Sequence, residues 1–258
     1  AVFALLLAAG VAVAAAAALR PGRRPAADAS PAFLFLSPNT DANLTPADAR
    51  RRLRSPEHQR FRRLAEGLAA DAGARGHQAR DALGDWADGA ENSILVELPH
   101  PPAAAALRRA AVRFGLLANQ REVLAFAPGD GPDVVWQVEA PEPDPAALRQ
   151  ALDRCGIPCR TLVPTAAGWR VVVCDRGRRL GENLGRLGRA YGTAVRATPG
   201  TGDWIGAETR EQARHLFRQL LRGGEAAPAC LPRFGPSGTV IAPHPPGDGY
   251  PDGGGRPE

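Results

Sequence analysis

A glycine-rich segment at 198–206, with Trp204 as an aromatic surface, has the residue types of a ligand-binding loop. It leaves a predicted strand and leads into a predicted helix, where free backbone N–H groups attract anions. Asp203 and Glu208 add negative charge at that point, so the pattern favours a polar neutral or cationic ligand over phosphate. The alternative is a structural turn with Trp204 packed against the core. The residues predicted to contact a ligand are Gly200, Gly202, Asp203, Trp204 and Gly206.

A second source of chemistry is the set of polar residues at the ends of separate predicted strands. Glu91, Asn92, Asn119 and Gln120 could gather into the site of a hydrolase or transferase. Asp85 and Glu91 could form a carboxylate pair beside Trp86, although acidic residues that flank a turn are usually solvated. The sequence identifies no catalytic residue beyond this hypothesis.

The cysteines and histidines do not have the spacing of a metal site. Cys155, Cys159, Cys174 and Cys230 form no C-x-x-C pair, and the five histidines show no H-E-x-x-H spacing. A G-x-S-x-G nucleophile motif is also missing from the sequence. No metal and no cofactor are therefore predicted, and the disulfide state of the cysteines is left open.

The elements that must position these residues alternate regularly between 92 and 221. Predicted strands at 93–98, 122–127, 134–140 and 160–163 are interleaved with helices at 102–114 and 145–155. This strand, helix, strand, strand, helix, strand order predicts an α+β fold with a ferredoxin-like βαββαβ arrangement. Further β-α units extend it into a mixed sheet with helices mainly on one face. The glycines at 177, 181, 185 and 188 lack dinucleotide-loop spacing and favour close helix-to-sheet packing.

Three stretches resemble a small family of uncharacterised bacterial α/β domains. They are Gly84-Asp85-Trp86, the run from Gly89 to Val96 (Gly-Ala-Glu-Asn-Ser-Ile-Leu-Val), and Phe114-Gly115 at a helix end. The resemblance covers about residues 33–126, and Leu116 departs from the Gln that is usual in that family. No activity is known for the family, so the resemblance implies an α/β domain alone.

The two ends of the chain differ in composition from the middle. Residues 1–19 carry no charge and are followed by Arg20, which predicts a transmembrane or signal segment before a linker at 20–32. The α/β domain is predicted at 33–222, with a lead-in at 33–91 and the sheet core at 92–222. Residues 223–258 contain 9 Gly and 8 Pro, which predicts a disordered tail. The predicted location is a membrane anchor on an undecided side, or export after signal cleavage.

Composition and charge narrow the classes of function. The net charge is +5, but all 32 basic residues are arginines that are largely interspersed with acidic residues, so no specific nucleic acid is expected as a partner. An apolar fraction of 44% and a charged fraction of 23% exclude a wholly disordered chain and a polytopic membrane protein. The sequence predicts a non-catalytic binding or interaction module whose partner is a protein or small ligand. A hydrolase or transferase of unknown substrate is the alternative.

Overall fold

The computed structural model describes residues 30–38, 44–86, 89–176 and 178–223, and the backbone of 233–234 and 240–241. For Trp86 and Arg178 it describes the backbone alone. The segment 1–19 and most of the predicted tail lie outside these residues, so tail disorder stays a prediction. Among the described helices, none is long and apolar enough to cross a membrane.

The first half of the described chain contains β1 (Ala32–Leu36), α1 (Pro46–Arg52), α2 (Pro56–Asp71), β2 (Gln78–Trp86), β3 (Gly89–Leu98) and α3 (Ala104–Leu117). Both α1 and α2 start with proline behind a hydroxyl residue. The Thr45 and Ser55 side chains accept hydrogen bonds from the backbone N–H groups of Asp48 and His58. These caps satisfy donors that a helix start leaves free, as the sequence predicted.

The second half contains β4 (Glu122–Ala140), α4 (Pro145–Arg154), β5 (Arg160–Thr165), β6 (Gly168–Asp175), α5 (Arg178–Tyr191), β7 (Val195–Gly206) and α6 (Arg210–Arg222). Two short strands, β8 (Arg233–Phe234) and β9 (Val240–Ile241), pair with each other. The helices α4 and α5 are followed by Gly156 and Gly192 with positive φ, which closes each helix and turns the chain back toward the sheet. Gly115 differs, because α3 continues past it to Leu117.

The sheet is closed into a barrel. Strands pair in the order β1, β3, β2, β5, β6, β4, and β4 pairs back with β1. Every pairing is antiparallel, and β7 lies outside the ring of six strands, along β4. The predicted ferredoxin-like arrangement, an open mixed sheet with helices mainly on one face, is therefore wrong.

Two features that the sequence did not predict close the barrel. The first is β2, whose sequence Gln-Ala-Arg-Asp-Ala-Leu-Gly-Asp-Trp has few residues of high strand propensity. The second is that the strands predicted at 122–127 and 134–140 are parts of one strand, β4, of 19 residues. The residues between those two predicted strands form an irregularity inside β4, where both Pro128 and Asp133 pair with Gly200 of β7.

The lumen of the barrel is filled by apolar side chains from all six strands. One buried cluster consists of strand residues only: Phe33, Ala82, Leu95, Phe126, Val135, Val163 and Val172. The rings of Phe33 and Phe126, on the neighbouring strands β1 and β4, have centroids 6.1 Å apart. Because both are fully buried, the middle of the barrel is a packed core with no room for a ligand.

The helices cover the outer surface of the barrel in two groups. In one, α2, α3 and α6 contribute Phe61, Phe114 and Phe217 to a core against β1, β3 and the first part of β4. In the other, α4 and α5 pack on β5, β6 and the second part of β4, and α1 packs beside them on β2 and β3. The predicted close packing of α5 is confirmed at Gly181, where an added Cβ would lie 2.6 Å from the Trp136 ring.

A buried ion pair lies where the two halves of the barrel meet. Between β2 and β5, Asp85 is the register partner of Arg160. The Arg160 Nη2 atom is 2.7 Å from Asp85 Oδ2, and the arginine is 2% exposed. Arg160 also contacts Asp153 of α4 at 2.8 Å, and Arg149 of α4 lies 2.9 Å from Asp85 Oδ1. The network therefore ties α4 to the only pairing that joins β2 to β5.

We expect Arg160→Met to lower the free energy of unfolding by about 3–5 kcal/mol, because it leaves the buried Asp85 carboxylate poorly compensated. Chemical denaturation measures the change. Replacing both partners in Asp85→Leu/Arg160→Met should recover most of the loss. The control is Arg113→Met, which removes an exposed pair with Asp71 and should cost below about 1 kcal/mol. An Arg160 variant as stable as the Arg113 variant would contradict the importance of this junction.

Candidate functional site

Strand alternation gives the barrel two polar mouths on either side of its apolar middle. Successive residues of a strand face opposite sides of the sheet, so the lumen side continues from Leu95 to Glu97 in one direction and to Ser93 and Glu91 in the other. At the Glu97 end, Arg170 makes ion pairs of 3.5 Å with Glu97 and 2.6 Å with Glu139. One guanidinium group therefore bridges two carboxylates at that mouth.

The other end of the barrel, here called the acidic mouth, consists of Glu91, Ser93 and Glu122 over the half-buried Phe35. Phe35 of β1 pairs with Leu95 of β3 on one side and Leu124 of β4 on the other. Continuing this register past the end of β1 places Ser93 and Glu122 two strand spacings apart, or roughly 10 Å between backbones. Their side chains face the same end of the lumen.

Glu122 has an unusual protonation equilibrium for a glutamate. Burial raises its pKa to about 7; the charge of Arg121 opposes the shift and the charge of Glu91 adds to it. The effect of Glu91 shows that these two carboxyl groups, from strands that are not neighbours, act on each other electrostatically. At neutral pH, Glu122 is therefore protonated about half of the time.

Glu91 is held in place by its own strand. The Ser93 hydroxyl donates a hydrogen bond of 3.1 Å to Glu91 Oε1. Ser93 is buried, and Glu91 is half-buried. A positioned carboxylate beside a carboxyl group that titrates near pH 7 is an arrangement that can move protons to and from a bound molecule.

The five residues predicted to bind a ligand lie in strand β7 and not in a loop, and they divide between two faces. Gly206 is the register partner of Glu122, and Trp204 is the partner of Leu124, so both share the face of Glu122. An added Cβ on Gly206 would lie 2.9 Å from Glu122 Cβ. Asp203 points to the helix side, where its Oδ2 atom is 2.9 Å from Arg108 Nη2.

The remaining two predicted residues hold the irregular part of β4. An added Cβ on Gly200 would lie 2.2 Å from the carbonyl oxygen of Ala127. The Gly202 N–H donates a hydrogen bond of 2.7 Å to Asp133 Oδ2, and Arg176 Nε donates one of 2.8 Å to Asp133 Oδ1. The structure therefore explains Gly200 by close backbone packing and gives Gly202 a backbone hydrogen bond to Asp133, and a ligand-binding role for the five residues stays a prediction.

The polar residues from separate strands do not form one site. Asn92 lies on the helix side, where its Nδ2 atom is 2.9 Å from Nδ1 of the fully buried His58. Asn119 accepts a hydrogen bond of 2.6 Å from Arg214, and Gln120 donates one of 3.0 Å to the carbonyl of Ala118. Of the four, only Glu91 reaches the acidic mouth, and the hypothesised pair of Asp85 with Glu91 divides between the two faces of the sheet.

The His58 environment is a structural hydrogen-bond cluster. The His58 Nε2 atom is 3.1 Å from Asp81 Oδ1, and Arg62 lies 3.4 Å from the same oxygen. Burial raises the pKa of Asp81, but the hydrogen bond with His58 and the charges of His58 and Arg62 outweigh burial, so the pKa lies below its usual value. These contacts connect α2 to β2.

Sequence reasoning missed Glu122, which is the central residue of the acidic mouth. The residue stands between Arg121 and an apolar run and has the appearance of a solvated strand end. Its strand partner Gly206 comes from β7, and the carboxyl group that adds to its pKa shift, Glu91, comes from β3. No local signal identifies such a residue, although a charged position at the start of an apolar strand is a reason to inspect it.

The described residues offer no evident metal centre. Among them, no group of three or more His, Cys, Asp or Glu side chains could hold a metal ion. Cys155 and Cys174 are free thiols, and Cys230 lies outside the described part of the chain. Burial, together with the charges of Asp133 and Asp175, raises the pKa of Cys174, which makes this thiol a poor nucleophile.

Comparison with known proteins does not identify a family. No family model matches the chain, and no curated protein matches it. Among solved structures, one that resembles the chain is described as a "putative monooxygenase" from Lactobacillus acidophilus NCFM. The identity is 12%, the match covers 69% of this chain and 96% of that one, and the TM-score is 0.22. A likeness at this level shows neither a shared fold nor a shared activity.

We expect the Glu122 carboxyl to titrate near pH 7, and Glu91→Gln to lower its pKa by removing a like charge. Titration of the side-chain carboxyl carbons by NMR measures both. Because the pKa is raised above its ordinary 4.5, the stability contributed by protonated Glu122 is complete below pH 4.5 and is lost as pH rises through 7. Glu122→Gln should therefore gain stability relative to the wild type between pH 5 and pH 8.

Glu139→Gln, at the opposite mouth, is the matched control for both measurements. It should leave the titration of Glu122 unchanged. A Glu122 carboxyl that titrates between pH 4 and 5 would contradict the description of the acidic mouth.

Proposed function

We propose that the acidic mouth is the active site of an enzyme that acts on a small polar molecule by acid–base catalysis, in the hydrolase or transferase class. The observation that carries the proposal is the placement of Glu122 and Glu91 at one end of the lumen, where the charge of Glu91 adds to the raised pKa of Glu122. Pairs of titratable groups whose surroundings separate their proton affinities are typical of acid–base sites.

The two carboxyl groups have different roles in this proposal. Glu122, which exchanges its proton near pH 7, gives a proton to the substrate or takes one from it. Glu91 accepts the Ser93 hydrogen bond, which orients it toward the mouth, and it stabilises positive charge that develops on the substrate. Ser93 is a positioning residue, since its hydroxyl acts through Glu91.

The chemistry of the mouth also limits the class of substrate. The filled lumen keeps the ligand at the surface end of the barrel, with the Phe35 ring below it. The two carboxyl groups, whose negative charge Arg121 partly offsets, favour a neutral or cationic substrate over phosphate or carboxylate. The sequence predicts the same preference, for a neutral or cationic ligand, at the segment 198–206. Trp204 of that segment lies diagonally across the strand pair from Glu122, roughly 7–8 Å away.

Non-catalytic binding is the second candidate function, and the half-exposed Trp204 favours it. In this case the flat indole face of Trp204 would hold a small ligand, with Gly206 letting the strand approach closely beside it, and Glu122 would select the charge of the ligand. This form of the proposal uses Trp204 and Gly206 from the five predicted residues, with Gly200 and Gly202 as their backbone support.

Activity assays with neutral and cationic chromogenic esters, amides and glycosides test the enzyme. We expect a pH–rate profile with an inflection near 7 and a loss of about 10²–10⁴-fold in kcat for Glu122→Gln, because the proton donor is removed. Glu139→Gln should keep the rate and profile of the wild type. Turnover that survives in Glu122→Gln would contradict the catalytic assignment, whereas binding of these compounds without turnover would favour the second candidate.

Trp204→Phe and Trp204→Ala test the binding surface. If the indole contacts the ligand, both variants should stay folded and weaken binding by more than about tenfold, since stacking area is lost. Ligand-dependent quenching of tryptophan fluorescence, followed by calorimetry for the variants, provides the measurement. If Trp204 is only part of the core, Trp204→Ala should instead lose about 3–5 kcal/mol of stability.

A further inference from the structure

A depression on the outer surface lies between the end of α4 and the first half of α5. Its volume is about 430 Å³, which is within the usual range for small-molecule sites. Its walls carry three guanidinium groups, those of Arg154, Arg179 and Arg186, with Asn183 and Cys155 between them. We call it the basic depression.

Its positive charge is not cancelled within the described part of the chain. None of its three arginines forms an ion pair with a carboxylate there. The one acidic residue of its wall, Asp153, is 2.8 Å from the buried Arg160, which already balances its charge. The basic depression therefore differs from the neighbouring depression over Trp136, where Arg189 is accompanied by Glu182.

The backbone acceptors at the end of α4 are already occupied. Asn183 Nδ2 donates a hydrogen bond of 3.2 Å to the carbonyl oxygen of Gly156, and Arg186 reaches that of Cys155 at 3.5 Å. These donors cover the negative end of the α4 dipole, whereas the first half of α5 carries positive partial charge. The guanidinium groups of Arg154 and Arg179 stay available as donors.

We propose that the basic depression binds a small molecule that carries a phosphate group. Guanidinium groups match the oxygens of phosphate in pairs, and three of them around one concave site exceed what solubility requires. The site is independent of the acidic mouth, whose two carboxyl groups repel the same ligand. It gives the protein a second ligand of opposite charge on a different surface.

The probes are inorganic pyrophosphate and adenosine diphosphate, titrated calorimetrically into the folded protein at constant ionic strength. We expect saturable binding of one equivalent, weakened at least tenfold in Arg154→Gln/Arg179→Gln. Arg189→Gln, on the same helix but outside the basic depression, is the matched control and should bind within twofold of the wild type. Circular dichroism and thermal melts of each variant confirm that the fold is intact.

Cys155 lies in the wall of the basic depression and provides a second measurement, which reports on ligand binding at that site. It is a half-buried free thiol on the wall, so its alkylation by neutral iodoacetamide, followed by mass spectrometry of the Cys155 peptide, should slow when pyrophosphate is bound. Cys174 is the internal comparison. Binding that disappears at matched ionic strength, that persists in the double variant, or that leaves Cys155 alkylation unchanged would overturn the proposal. Glu122→Gln should bind pyrophosphate as the wild type does, which separates this test from that of the acidic mouth.

Discussion

The barrel depends on one long strand that serves both halves of the chain. β4 pairs with β1 through residues 124–126 and with β6 through 134–140, so its first part completes one half of the sheet and its second part begins the other. Because β4 pairs with β1 through one part and with β6 through the other, it closes the sheet into a ring. The irregularity at 128–133 absorbs the change in register, and the buried Asp133 stabilises it through the Gly202 N–H and Arg176.

Closure determines where chemistry can occur. The side chains of Phe33, Phe126 and their neighbours fill the lumen that six strands leave, so a ligand has room only at the two ends. At one end, Arg170 forms ion pairs with both Glu97 and Glu139. At the other, Glu122 is partly buried, and this loss of solvation is the main cause of its raised proton affinity, to which the charge of Glu91 adds.

The arginines of this chain have distinct uses that composition alone does not separate. Arg160 is buried and holds the junction of β2 and β5, whereas Arg176 fixes a bend in the sheet by binding Asp133. Arg51 pairs with Asp48 within an exposed helix, where such a contact contributes little. The arginines of the basic depression have no carboxylate partner among the described residues. This difference in pairing, more than the net charge, distinguishes a candidate binding site from an ordinary solvated surface.

The sequence by itself determined the helices, most strands and the close packing of α5, because caps, apolar periodicity and glycine positions act over a few residues. It could not determine closure. The polar β2 has no local strand signal, and a Pro-Gly-Asp-Gly-Pro stretch has the same appearance whether it turns a hairpin or bends one continuous strand. It also could not show that Glu122 meets Glu91, since strand register decides which side chains share a face and pairing between distant segments decides which faces meet. Only the tertiary structure determines the closure of the barrel and the surroundings of Glu122. Burial and charge proximity, which alter the pKa of Glu122, arise only when separate strands are brought together.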